Sequence, residues 1–138
     1  MLNSKRQRQS GTAAVEAALT LLAFFAVILG VVEAGRVINI QQTLTDAARE
    51  GARLAVAPAS GTSNLPSNSE IANHVNTFLG AAHIQGATIQ VDPVIAVSGD
   101  LMTSVTVIVP YRVITISMFT NLEIPLRGTS VMRNETSP

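Results

Sequence analysis

The sequence has no cysteine, no tryptophan and few charged residues. Among its 138 residues 13% are charged, and nine basic side chains balance nine acidic ones. The missing cysteine excludes disulfide bonds, thiol nucleophiles and cysteine-ligated metal centres. A net charge of zero gives no electrostatic reason to expect nucleic-acid binding. Soluble domains contain about 25% charged residues, so the low charge, with 47% apolar residues, argues against a freely soluble protein.

The few charges are unevenly distributed along the chain. Lys5, Arg6 and Arg8 lie near the N-terminus with no acidic residue beside them. Residues 12–32 then contain a single charge, Glu16. At about 1.5 Å per residue, a helix of this length spans roughly 31 Å, close to the hydrocarbon thickness of a bilayer. We therefore expect a transmembrane helix over 12–32, with the basic N-terminus in the cytoplasm and the rest of the chain outside.

A cleaved secretory signal is the alternative, since it also places basic residues before an apolar stretch. The best small-x-small site after this stretch, Val32-Glu33-Ala34, is a poor one. The following residues, up to Val56, favour a helix and contain no proline. We expect one helix over about 12–56, in which 33–56 is an amphipathic, extracytoplasmic continuation of the span.

One face of this continuation consists mainly of small apolar residues. Small residues let a second backbone approach closely, so this face packs either on the chain's own sheet or on helices of neighbouring subunits. Oppositely charged residues three positions apart, such as Glu50 and Arg53, lie elsewhere on the helix. The residues of the predicted packing face are Leu44, Ala47, Ala48, Gly51, Ala52 and Ala55.

Residues 57–138 are expected to form a small α+β head domain. Ser67 and Glu70 have the spacing of a capping box, and a short helix is expected from there to about Gly80. Three or four strands follow, over 88–92, 102–109 and 122–133 in the clearest cases. Pro110 either ends the second of these strands or places it at an edge. The predicted fold is a long N-terminal helix with a short helix and a small antiparallel sheet.

The sequence contains no pattern typical of a catalytic, metal or cofactor site. His74 and His83 have no convergent partners for metal binding or acid–base chemistry. The spaced oxygen ligands of a calcium loop and a glycine-rich phosphate loop are both missing. We therefore expect no enzyme activity, no metal and no cofactor.

Glu16 is the one acidic residue inside the apolar stretch. In an uncleaved chain it lies near the cytoplasmic interface, where it can snorkel or take up a proton. A carboxylate among apolar residues otherwise marks a functional site. Cleavage after Gly11 makes Thr12 the new N-terminus and Glu16 the fifth mature residue. The new ammonium group and the carboxylate then neutralise each other, within one chain or between neighbours.

The order of basic leader, Gly11, Glu16 and apolar helix resembles the signal of type IV prepilins. With the segment QQTLTDAAREGAR at 41–53, it resembles the TadE-like family, which are pseudopilins of the tight-adherence (Tad/Flp) pilus system. The resemblance covers residues 5–56 and extends more weakly to 105–111 and 129–135. Two positions differ from relatives: Thr12 replaces the usual aromatic residue or Met of type IV pilins, and Ala17 replaces the Tyr of the major Flp pilin.

This resemblance implies a pilin-like fold and a role in the biogenesis of tight-adherence pili. The leader 1–11 would be removed by a prepilin peptidase between Gly11 and Thr12, and Glu16 would set subunit register by pairing with an N-terminus. The implied partners are that peptidase, other pilins and pseudopilins, the inner-membrane assembly platform and the lipid bilayer. The implied location is the bacterial inner membrane, as a single-pass protein, or a surface pilus.

Two alternatives stay open at this point. One is an uncleaved single-span membrane protein whose extracytoplasmic domain binds a partner and forms no filament. The other is a membrane-tethered enzyme, for which the sequence offers no nucleophile–base pair.

Overall fold

The computed structural model describes residues 2–57, 65–95, 101–117 and 120–134, with side chains at residues 11–57, 65–93, 101–114, 117 and 120–134. The chain divides into two units, Met1–Arg36 and Val37–Pro138. The boundary lies inside the first helix, so the residues from Val37 to the end of that helix form one compact unit with the predicted head domain. The elements, in chain order, are α1 (Leu2–Val56), α2 (Asn68–Ala81), β1 (Thr88–Ile95), β2 (Leu101–Arg112), α3 (Ile114–Ser117) and β3 (Glu123–Arg133).

Helix α1 ends at Val56, as predicted, but begins at Leu2 instead of about residue 12. The expectation for its start was wrong because nothing in residues 2–11 stops a helix. This segment contains Lys, Arg and Gln, which are good helix formers, and no proline. Its single glycine, Gly11, disfavours a helix by only about 1 kcal/mol relative to alanine.

The first unit exposes its apolar side chains on all sides. Val15, Leu22 and Val31 are 62%, 68% and 68% exposed. Within the described residues, α1 is the one helix long and apolar enough to cross a membrane, by length and composition, with a mean hydropathy of 2.5 in its most apolar window. Such a surface needs an apolar environment, because exposed apolar patches of this size are rare on soluble monomers.

The second unit is built on an antiparallel sheet in which β2 lies between β1 and β3. Alternate residues of β2 face the helices and are buried, with Val105 opposite Val91 of β1 and Val107 opposite Gly128 of β3. Helix α2 begins with the predicted capping box, in which the Ser67 backbone N–H donates to Glu70 Oε2 at 2.8 Å. The α+β class, with a long helix, a short helix and an antiparallel sheet, is confirmed.

Strand β2 continues past Pro110 to Arg112. Pro110 lies opposite Pro125, and three positions further on the Val113 N–H donates to the Leu122 carbonyl at 3.4 Å. Because hydrogen-bonded and non-hydrogen-bonded pairs alternate along the ladder, the two prolines form a non-hydrogen-bonded pair. β1 pairs with β2 only as far as Ile108, so the missing N–H of Pro110 has no neighbouring strand to bond. The proline therefore marks a local edge and not the end of the strand.

The core lies between one face of this sheet and the two longer helices. Helix α2 contributes Ile71, Val75 and Leu79, which are at most 2% exposed. The sheet contributes the inward residues of β2 and Leu126 of β3. The part of α1 that belongs to the second unit completes the core with small side chains, and Val37 and Ile40 pack at its border.

Candidate functional site

The predicted cleavage position lies on the first unit. Gly11 is exposed, and a Cβ added to it would meet no atom within 4 Å. Thr12 and Glu16 are four residues apart in α1, so they lie one above the other on the same helix face. A positive charge created at Thr12 would therefore lie about 6 Å from the Glu16 position, near enough for a favourable interaction.

Two polar side chains, Glu16 and Thr20, interrupt the apolar residues between Thr12 and Val32, and only Glu16 is ionisable. The Thr20 hydroxyl donates to the Glu16 backbone carbonyl at 2.9 Å. This i to i−4 bond satisfies the hydroxyl inside the helix. The Glu16 carboxylate is the remaining polar group that an apolar environment would have to accommodate.

The predicted packing face of α1 is buried in the second unit. Leu44, Ala47, Ala48 and Ala52 are fully buried, and Ala55 is 4% exposed. Gly51 is buried as well. These residues belong to the core formed with α2 and the sheet. In this structure the face therefore packs on the chain's own sheet, which was one of the two predicted arrangements.

The closest approach between α1 and the sheet involves a glycine of β3. A Cβ added to Gly128 would collide with the carbonyl of Leu44 and lie 2.6 Å from the Thr45 nitrogen. Beside this contact, the Gln41 side-chain amide donates to the carbonyl of Arg127. The contact was not predicted from the sequence. The sequence feature that could have indicated this contact is a glycine inside a strand pattern, which often marks the close approach of another backbone.

A cluster of charged groups joins α1 to α2. Arg53 donates twice to Glu50, from Nη2 to Oε1 at 2.6 Å and from Nε to Oε2 at 3.0 Å. His74 of α2 places Nε2 3.2 Å from Glu50 Oε1. Hydrogen bonds from Arg53 first, and His74 second, lower the pKa of Glu50 to about 2. The sequence predicted the Glu50–Arg53 pair, whereas the His74 contact depends on the packing of two helices.

These polar contacts are structural. Within the described part of the chain, no group of three or more His, Asp or Glu residues is placed to hold a metal ion. The Glu50 cluster lies at the surface, where it links helix α1 to helix α2.

Comparison with models of known protein families matches part of the chain. Residues 11–53 match the sequence model of the TadE-like protein family. No curated protein and no solved structure matches the chain. The matched segment begins at Gly11, contains Glu16 and ends in the last turn of α1. Together with the apolar helix, it fits a membrane protein associated with the Tad pilus. The resemblance predicted from the sequence is confirmed, and the chain carries a TadE-like segment over residues 11–53.

Proposed function

We propose that this protein is a membrane-anchored pseudopilin or minor pilin needed for the biogenesis of tight-adherence pili. One observation carries the proposal: the TadE-like match starts at Gly11 and runs through a helix whose first part is apolar on all sides. The protein is a single-pass component of the bacterial inner membrane, with its N-terminus in the cytoplasm and its second unit outside. Its role is structural and not enzymatic.

The apolar helix holds the subunit in the bilayer before assembly. Residues 12–32 contain eleven Leu, Ile, Phe and Val side chains. At about −0.3 to −0.6 kcal/mol each, they favour insertion by roughly 3 to 7 kcal/mol. A charged residue opposes insertion by about 2.5–3.5 kcal/mol at the centre of a span and by less near its end. Insertion therefore remains favourable although Glu16 is present.

A prepilin peptidase cuts between Gly11 and Thr12, and the new N-terminus then pairs with Glu16. Within one chain, the ammonium group of Thr12 lies one helical turn from the carboxylate. In an assembled bundle of helices, the same carboxylate accepts the N-terminus of a neighbouring subunit. Only one axial offset between two helices allows this second pairing, so Glu16 fixes the subunit register.

Substitution of Glu16 tests this role. We expect Glu16→Ala to be processed and inserted in the membrane, yet to impair pilus assembly, because the N-terminus of the neighbour loses its counter-charge. Glu16→Asp should retain part of the assembly, and Thr20→Ala, one turn further along, is the control for a polar change in the same helix. The measurement is the amount of sheared pili and of processed protein in the membrane fraction. Normal piliation by Glu16→Ala would refute the register role.

A further inference from the structure

The end of the β2–β3 hairpin exposes apolar side chains. Ile114, Leu122 and Ile124 are 49%, 43% and 43% exposed, and we name these three residues the apolar hairpin tip. The sequence between Arg112 and Glu123 carries no charge. Those two flanking residues pair with each other at 3.2 Å, so their charges are mutually compensated. The apolar hairpin tip therefore combines exposed apolar side chains with a sequence that carries no net charge.

The apolar hairpin tip lies at the end of the second unit at which α1 enters. A Cβ added to Gly51 would lie 3.1 Å from Val105 of β2. Earlier on α1, Leu44 contacts Gly128, whose partner in β2 is Val107. Moving back along α1 thus corresponds to moving forward along β2, towards the tip.

The lengths of β2 and α1 show how far the tip extends. Along the direction from Leu44 towards Val37, where α1 enters this unit, the tip lies level with Val37 or beyond it. From Val107 to Val113 a strand advances about 20 Å, at 3.3 Å per residue. From Leu44 back to Val37 a helix advances only about 10 Å, at 1.5 Å per residue. Even a large tilt between helix and strand leaves the tip as far along as Val37.

The covalent chain limits how far Val37 can lie from the end of the predicted membrane span. The predicted span ends at Val32, and five Cα–Cα steps lead from there to Val37. At about 3.6 Å per step, these two Cα atoms are at most about 18 Å apart in any arrangement of the two units. The headgroup region on one side of a bilayer is itself several ångströms thick, and this limit allows residues at this end of the unit to reach it.

We propose that the apolar hairpin tip inserts into the interfacial layer of the membrane that holds residues 12–32. This inference rests on the proposed membrane anchor and adds a second lipid contact to it. Apolar side chains at the boundary between headgroups and acyl chains are stabilised by the area they remove from water. The contact holds the second unit against the bilayer before assembly and is broken when the subunit is extracted.

The opposite end of the same strand supplies a matched control. Leu101 begins β2 and is 47% exposed. It is as apolar and as accessible as the tip residues, but it is separated from them by the length of the strand. Lipid contact at the tip without contact at Leu101 would therefore reflect position and not mere hydrophobicity.

Site-specific labelling tests the proposal, because this 138-residue chain has no cysteine. Single variants Ile124→Cys, Leu101→Cys and Leu22→Cys carry an environment-sensitive fluorophore and are reconstituted in phosphatidylcholine–phosphatidylglycerol vesicles. The vesicles contain lipids with a nitroxide quencher near the headgroup or deeper in the acyl chain. Ile114→Cys repeats the tip measurement at a residue outside β3. Tyr111 lies opposite Ile124 in the sheet, so the fold of each variant is verified by its thermal unfolding transition before labelling.

The expected result is a loss of fluorescence at the tip with the shallow quencher, a loss at Leu22→Cys with the deep quencher, and no loss at Leu101→Cys. If Leu22→Cys is quenched while the tip behaves like Leu101→Cys, the inference is wrong and the membrane anchor stands. If Leu22→Cys is not quenched, both are wrong. A blue shift at the tip without lipid quenching means that protein covers it, and this outcome also refutes the inference.

Discussion

Substitution of Gly128 by alanine should weaken the second unit more than the same substitution of Gly51 or Gly80. The new Cβ would overlap the Leu44 carbonyl and lie 2.6 Å from the Thr45 nitrogen. These are backbone atoms, so no side-chain rotation relieves the clash, and α1 must move away from β3. Overpacking costs about 1–3 kcal/mol, and we expect about 3 kcal/mol for this variant because the neighbour is backbone. The displacement also disturbs the hydrogen bond from Gln41 to the Arg127 carbonyl.

The assay is thermal unfolding of the full-length protein in detergent or nanodiscs, followed by the near-ultraviolet signal of Tyr111. This residue is the one tyrosine of the chain and is 6% exposed, so its signal reports on the second unit. At about 4 °C per kcal/mol for a unit of this size, Tm should fall by roughly 12 °C. Gly80→Ala is the matched control, since its Cβ would meet no atom within 4 Å in helix α2, and Tm should hold or rise. An unchanged Tm for Gly128→Ala would refute the close approach of α1 to β3.

Two further predictions concern the same unit. Gly51→Ala should lower the free energy of unfolding by about 1–2 kcal/mol, less than Gly128→Ala. Its Cβ would meet a side-chain methyl of Val75 at 2.6 Å, and a side chain can shift slightly whereas the backbone of α1 cannot. Urea unfolding of both variants gives the order, and the reverse order would contradict the geometry. The pKa of Glu50 lies at about 2, below its ordinary 4.5, so its contribution to stability is present above about pH 4.5 and is lost as the pH falls towards 2. Glu50→Gln should flatten this part of the stability–pH profile, and an unchanged acid slope would show that the pairs with Arg53 and His74 do not stabilise the fold.

Local patterns in the sequence predicted the elements better than their contacts. The end of α1 at Val56, the capping box at Ser67 and the alternation of β2 each depend on neighbouring residues alone, and each is found in the structure. The start of α1 was misplaced because a possible cleavage point is a chemical boundary and not a conformational one. A helix continues through Gly11 whether or not a peptidase later cuts there.

The contacts that the sequence could not supply depend on register between distant segments. The approach of Gly128 to Leu44 follows from the way β3 pairs with β2 and from the position of α1 on that sheet. The contact of His74 with Glu50 likewise depends on how two helices pack. Periodicity identifies which face of an element is apolar, but it does not specify which residues meet across the interface.

The N-terminus of the mature protein is the most direct test of the central proposal. We would determine it by mass spectrometry in cells with and without the prepilin peptidase. We expect a chain that begins at Thr12 only when the peptidase is present. A chain that keeps residues 1–11 in both strains would contradict it and favour an uncleaved single-span protein that binds a partner. A cut near Ala34 would instead indicate a secreted protein without the membrane helix.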